Sequence, residues 1–84
     1  MDWEEKTKLQ FASTLMDAIS AYEVEKGSKL SHRQFALQSN LEYSHVQRIT
    51  KGKVDLTLTT IVALAKGLEI SPDLLMKFKL EELN

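Results

Sequence analysis

Between residues 43 and 53 of this 84-residue chain lies a dense run of side chains able to hydrogen-bond outward: Tyr43, Ser44, Gln47, Arg48, Lys51 and Lys53. Tyr43, Gln47 and Lys51 recur at i, i+4 and i+8, with Ser44 and Arg48 beside them, so a helix would gather them on one side. Their chemistry is that of recognition. An arginine fork spans guanine O6 and N7, and a glutamine carboxamide spans adenine N6 and N7; each such pair is worth roughly 1–3 kcal/mol of discrimination between bases. The two lysines are point charges suited to phosphate oxygens.

No comparable set supports catalysis or metal binding. The chain has no cysteine, which removes thiol nucleophiles, zinc–thiolate sites and disulfides, and fits a reducing, cytoplasmic setting. His32 and His45 are the only histidines, and they lack the spacing of a metal pair or of a Ser-His-Asp arrangement. Glu4-Glu5 and Glu81-Glu82 lie near the ends and read as solvated charge. The three glycines are scattered and form no phosphate-binding loop. The expectation is a non-enzyme with no cofactor, metal or small-molecule ligand.

The outward-facing run must be held by something, and the flanking sequence supplies it. Ser31 is a good N-cap, with Gln34 three residues later to complete a capping box. Phe35, Ala36 and Leu37 give the second helix its apolar contacts. Asn40 falls where a tight turn needs a left-handed residue, and Leu41 follows to plug that turn into the core. A short third helix then runs from about Tyr43 to Lys51, closed by Gly52. Its only apolar anchors are Val46 and Ile49, a seam too narrow for a helix meant merely to fill a core.

Around this unit, at about 31–52, three more helices are expected in a single domain spanning 1–84. The first runs from about Asp2 to Lys26, with Phe11, Leu15, Ala18, Ile19 and Tyr22 on one face and Gly27 as its left-handed stop. The fourth begins after Thr57 and runs to about Leu68, with Leu58, Ile61, Val62, Leu64 and Ala65 as its stripe. The fifth opens at Ser71-Pro72-Asp73, a cap, a first-turn proline and a favourable acid, with Leu74, Leu75, Phe78 and Leu83 as its apolar side. Only Val54 to Thr60 is ambiguous between strand and loop.

A net charge of −1 hides a strong asymmetry. Lys26 to Lys53 holds six basic residues and one acid, a local +5; the rest of the chain holds five basic and eleven acidic residues, a local −6. Phosphate binding follows the local patch rather than the total. No apolar run is long enough to cross a membrane, and the acidic start lacks the pattern of a signal peptide.

The segments Leu30-Ser31-His32-Arg33-Gln34-Phe35-Ala36, Asn40-Leu41, Val46-Gln47-Arg48-Ile49 and Lys51-Gly52-Lys53, followed by Ile70-Ser71-Pro72-Asp73-Leu74-Leu75, resemble the phage Cro/repressor-type helix-turn-helix family, also called the XRE family. The resemblance covers roughly Lys26 to Phe78, and the chain length is similar to that of its stand-alone regulators and restriction-modification controller proteins. It implies an all-α, five-helix DNA-binding domain, here with a long N-terminal helix, that acts on double-stranded DNA as a transcription regulator. The family's base-reading positions match Tyr43, Ser44, Gln47 and Arg48. Its phosphate-contacting positions match His32, Lys51 and Lys53, with Arg33 and His45 as flanking contacts. The chain departs from the family pattern at Asn40, where Gly is common, at Glu42, where Ser or Thr caps the recognition helix, at Thr50, where Glu is usual, and at Leu56, where Pro is common.

A C2 homodimer reading a pseudo-palindromic operator is expected, its surface supplied by Leu75, Phe78, Leu83 and Trp3. The alternative from a different class is a protein-interaction module of the same fold, such as an antitoxin or anti-repressor partner, favoured by the acidic first helix and Trp3.

Overall fold

The computed structural model describes residues 1–84 and contains four α-helices: α1 (Trp3–Lys26), α2 (His32–Ser39), α3 (Tyr43–Thr50) and α4 (Leu58–Leu68). Two short 3-10 segments follow, Pro72–Met76 and Leu80–Leu83. There is no strand: of the ambiguous stretch Val54 to Thr60, residues 54–57 are an irregular connection and 58–60 open α4.

The longest dimension of the molecule, 36 Å, matches the 24 residues of α1 at about 1.5 Å each. Asp2 caps α1 by accepting the Glu5 N–H at 2.8 Å, and Gly27 ends it at φ 71°. Phe11, Leu15 and Ile19 are buried at four-residue intervals, and Ala18 and Tyr22 pack partly buried beside them. They meet Leu30, Phe35, Ala36, Val46, Ile49, Leu64, Ala65, Leu68 and Leu75 in one core. Glu23 near the end of α1 accepts the Leu30 N–H at 2.7 Å and so holds the loop leading into α2.

Three helices stop by the same device. After α2, Asn40 (φ 56°) donates its N–H to Leu37 O at 3.2 Å and Leu41 to Ala36 O at 2.9 Å. After α3, Gly52 (φ 70°) donates to Ile49 O at 3.0 Å and Lys53 to Arg48 O at 3.1 Å. After α4, Glu69 (φ 59°) donates to Lys66 O at 3.1 Å and Ile70 to Ala65 O at 3.0 Å. Each pair is a Schellman closure, and Leu41 and Ile70 supply the apolar contact that accompanies it. Glu69 has no sequence signal for a left-handed backbone; the half-buried Ile70 next to it makes the closing bond and packs on the core.

Three sequence expectations are corrected here. The chain ends in two 3-10 segments instead of a fifth α-helix. Within Pro72–Met76 only Leu75 is buried, and the Ser71 hydroxyl bonds the Asp73 carboxylate rather than a backbone N–H, so neither a stripe nor a cap sustains an α-helix. Leu37 and Leu58 face solvent, 73% and 77% exposed, because α2 and α4 are anchored instead by Phe35, Ala36, Leu64, Ala65 and Leu68. Leu75 is wholly buried in its own core, and Phe78 and Leu83 are half-buried, so they are not the free apolar surface expected of them. The Leu80–Leu83 segment lies against α1, where the Lys6 ammonium donates to Asn84 O at 2.6 Å.

Candidate nucleic-acid interface

Local rules position the second and third helices. The Ser31 hydroxyl accepts the Gln34 N–H at 3.1 Å, starting α2. Only half of the expected capping box forms: the Gln34 side chain donates to Gln38 at 3.3 Å instead of returning to Ser31. Phe35 and Ala36 then bury α2 against α4. At this crossing Gly67 sits so close to Ser39 and Phe35 that no side chain fits, and Gln38 ties the two helices by donating to Gly67 O at 2.9 Å.

The Asn40–Leu41 closure turns the chain into α3, which is held by Val46 and Ile49 alone as buried residues. Full burial of two such side chains supplies on the order of 3–6 kcal/mol. That suffices to dock a two-turn helix and leaves its other sides accessible. At its far end Gly52 lies against the backbone and side chain of Leu9 on α1, fixing where the lysine-bearing loop emerges.

The named side chains distribute as follows. Ser44, Arg48, Lys51 and Lys53 are exposed, and none of the basic groups has an acidic partner; the sole ion pair, Lys26–Glu69 at 3.4 Å, is elsewhere. His32 and His45 are half-buried. The Gln47 side chain is half-buried and donates to the Tyr43 hydroxyl at 3.0 Å, while the Gln47 backbone carbonyl accepts from the Thr50 hydroxyl at 2.9 Å. Tyr43 packs on the core, and the Arg33 guanidinium covers its ring at 4.3 Å from the centroid. Glu42, at the N-cap position of α3, makes no capping bond with its side chain.

So the structure leaves Ser44, Arg48, Lys51 and Lys53 exposed, joins Tyr43 to Gln47 along α3, and joins Arg33 to Tyr43 across the turn. The i, i+4 spacing of Tyr43 and Gln47 signals their contact. The Arg33 stack depends on how α2 crosses α3, and the sequence carries no mark of it. The half-buried Thr50 bonds back to its own helix.

A capped brace helix, a left-handed turn and a thinly anchored, donor-rich helix define a DNA-binding helix-turn-helix domain. The sequence profile of the helix-turn-helix family matches residues 26–75. The chain belongs to this family, whose XRE-type members are DNA-binding transcription regulators. Among solved structures it is similar to the restriction-modification controller protein C.AhdI from Aeromonas hydrophila, with 29% sequence identity and a TM-score of 0.66 over 81% of this chain and 94% of that chain. No curated protein sequence matches the chain. No helix is long and apolar enough to cross a membrane.

Proposed function

We propose that this chain is a cytoplasmic, non-enzymatic repressor or controller protein that binds a pseudo-palindromic duplex operator as a C2 homodimer, inserting α3 into the major groove. The observation that carries the reading is Arg48: exposed on a helix docked by two buried residues, unpaired with any acid, and flanked by the equally unpaired Lys51 and Lys53. Arg48, Ser44 and Gln47 read base edges; Lys51 and Lys53 hold phosphates, with His32 and His45 beside them. The likeness to a restriction-modification controller protein supports a regulator of that kind.

A second copy would meet apolar surface at Trp3, 63% exposed, and at Leu80, 73% exposed, which belong to elements that pack on each other. Half-sites would then lie roughly 34–36 Å apart. Light scattering at micromolar concentration should give twice the monomer mass; a monomeric mass removes the dimer.

Selection from randomised duplex DNA, followed by anisotropy titration, tests the whole reading. Arg48→Ala should relax preference at one base position by roughly 1–3 kcal/mol, whereas Lys53→Ala should weaken all sequences and reduce the salt slope by about one. Equal loss on selected and random duplexes for Arg48→Ala would remove its base-reading role. The exposed Trp3 also suits a protein partner, and absence of binding to mixed duplex at low salt would favour that reading instead.

A further inference from the structure

We infer that Arg33 and Tyr43 are positioning residues that set where Gln47 presents its carboxamide, and that Arg33 is not itself a phosphate contact. The inference rests on the base-reading role proposed above for α3. Three observations form a chain across the helix-turn-helix. The Arg33 guanidinium, on the second residue of α2, lies 4.3 Å from the centroid of the Tyr43 ring, at the first residue of α3. Tyr43 is partly buried and packed against the core on its other side, so its ring is held between the core and a cation. Its hydroxyl, placed by that ring, accepts from Gln47 Nε2 at 3.0 Å, one helical turn further on.

The hydrogen-bond inventory gives this chain its meaning. A carboxamide has two N–H groups and an oxygen with two lone pairs. Tyr43 uses one N–H, leaving one donor and the oxygen, the pair that matches adenine N7 and N6. Without the tyrosine hydroxyl, Gln47 would be one more flexible side chain that DNA must order on binding, a cost of roughly two- to tenfold in affinity for each such group. The arginine reaches the bases only through this relay. The guanidinium lies over the Tyr43 ring, a contact that holds it at the turn, whereas Arg48, Lys51 and Lys53 are exposed with neither ring nor acid against them.

The relay and a phosphate contact give different signatures. In anisotropy titrations on the selected duplex and its single-base variants, over a range of salt, Tyr43→Phe and Arg33→Ala should each reduce the preference at the Gln47 position by about 2–10-fold. Both should leave the salt slope and the preference at the Arg48 position unchanged. In a Gln47→Ala background neither substitution should alter preference further, because all three act as one unit. Thermal melts of each variant show whether it is folded in the assay, and Tyr43→Phe keeps the ring and its packing. If Arg33→Ala lowers the salt slope by about one and weakens all duplexes alike, Arg33 is a phosphate contact and the relay is overturned. If Gln47→Ala relaxes preference but Tyr43→Phe does not, the relay is overturned while base reading stands. If wild-type protein binds every duplex equally, base reading fails and takes the relay with it.

Discussion

Gly67→Ala sets two opposed effects against each other at the crossing of α2 and α4. In the middle of an exposed helix the change would stabilise, since alanine is favoured over glycine by about 1 kcal/mol. Here the new methyl would overlap the Ser39 hydroxyl, and would lie 3.1 Å from Ser39 N and 3.2 Å from Phe35 Cε1. The hydroxyl can rotate away; the backbone nitrogen and the fully buried ring cannot, so the helices must part by a few tenths of an ångström. Overpacking of this kind costs about 1–3 kcal/mol. Stretching the 2.9 Å bond from Gln38 to Gly67 O adds up to about 1 kcal/mol. The net expectation is a loss of about 0–3 kcal/mol, or a fall in Tm of up to roughly 20 °C for a domain of this size. Urea and thermal unfolding followed by circular dichroism would measure it. Ser39→Ala is the companion variant, because the Ser39 hydroxyl is buried without a partner. That single change should be neutral or stabilising, and combined with Gly67→Ala it should recover part of the loss. A higher Tm for Gly67→Ala alone would mean that α2 and α4 are not in the close contact described, and the reasoning would be wrong.

Gly52→Ala combines a left-handed backbone with a methyl 3.1 Å from Leu9 Cα, so it should destabilise by about 2 kcal/mol or more in the same unfolding assay. Ile49→Ala removes one of the two buried anchors of α3 and should cost about 2–4 kcal/mol, and DNA affinity measured below the melting temperature should fall on every sequence. Glu42→Ser exchanges a carboxylate that makes no capping bond for a residue able to cap and removes a charge at the start of α3; all duplexes should bind about 2–5-fold tighter at low salt, with the gain shrinking as salt rises. Unchanged affinity would place Glu42 away from the phosphates. Leu37→Gln, at a solvent-facing position, should change unfolding free energy by less than about 0.5 kcal/mol.

Much of this architecture was legible because local chemistry and burial agree. Ser31, Asn40 and Gly52 mark helix ends through capping and left-handed backbone, and each does so in the structure. Val46 and Ile49 identified the seam of α3 because nothing else on that helix is apolar enough to compete. The expectation failed where one local rule had no tertiary support. Ser71-Pro72-Asp73 reads as a helix start, yet a single buried leucine follows it, and one anchor cannot sustain an α-helix. Leu37 and Leu58 sit beside apolar neighbours in sequence, but the helix crossings select the other face. At the interface, residue types were readable and their mutual contacts were not: the Arg33–Tyr43 stack joins different helices, and only their packing creates it.

The two-residue docking of α3 has an evolutionary corollary. Within the eight residues of α3 the buried anchors, Val46 and Ile49, are different positions from the exposed Ser44 and Arg48. If Ser44 and Arg48 read bases as proposed, exchanges at these exposed positions would redirect the protein to a new operator without a folding penalty, and relatives of this chain would diverge in target while keeping the same scaffold.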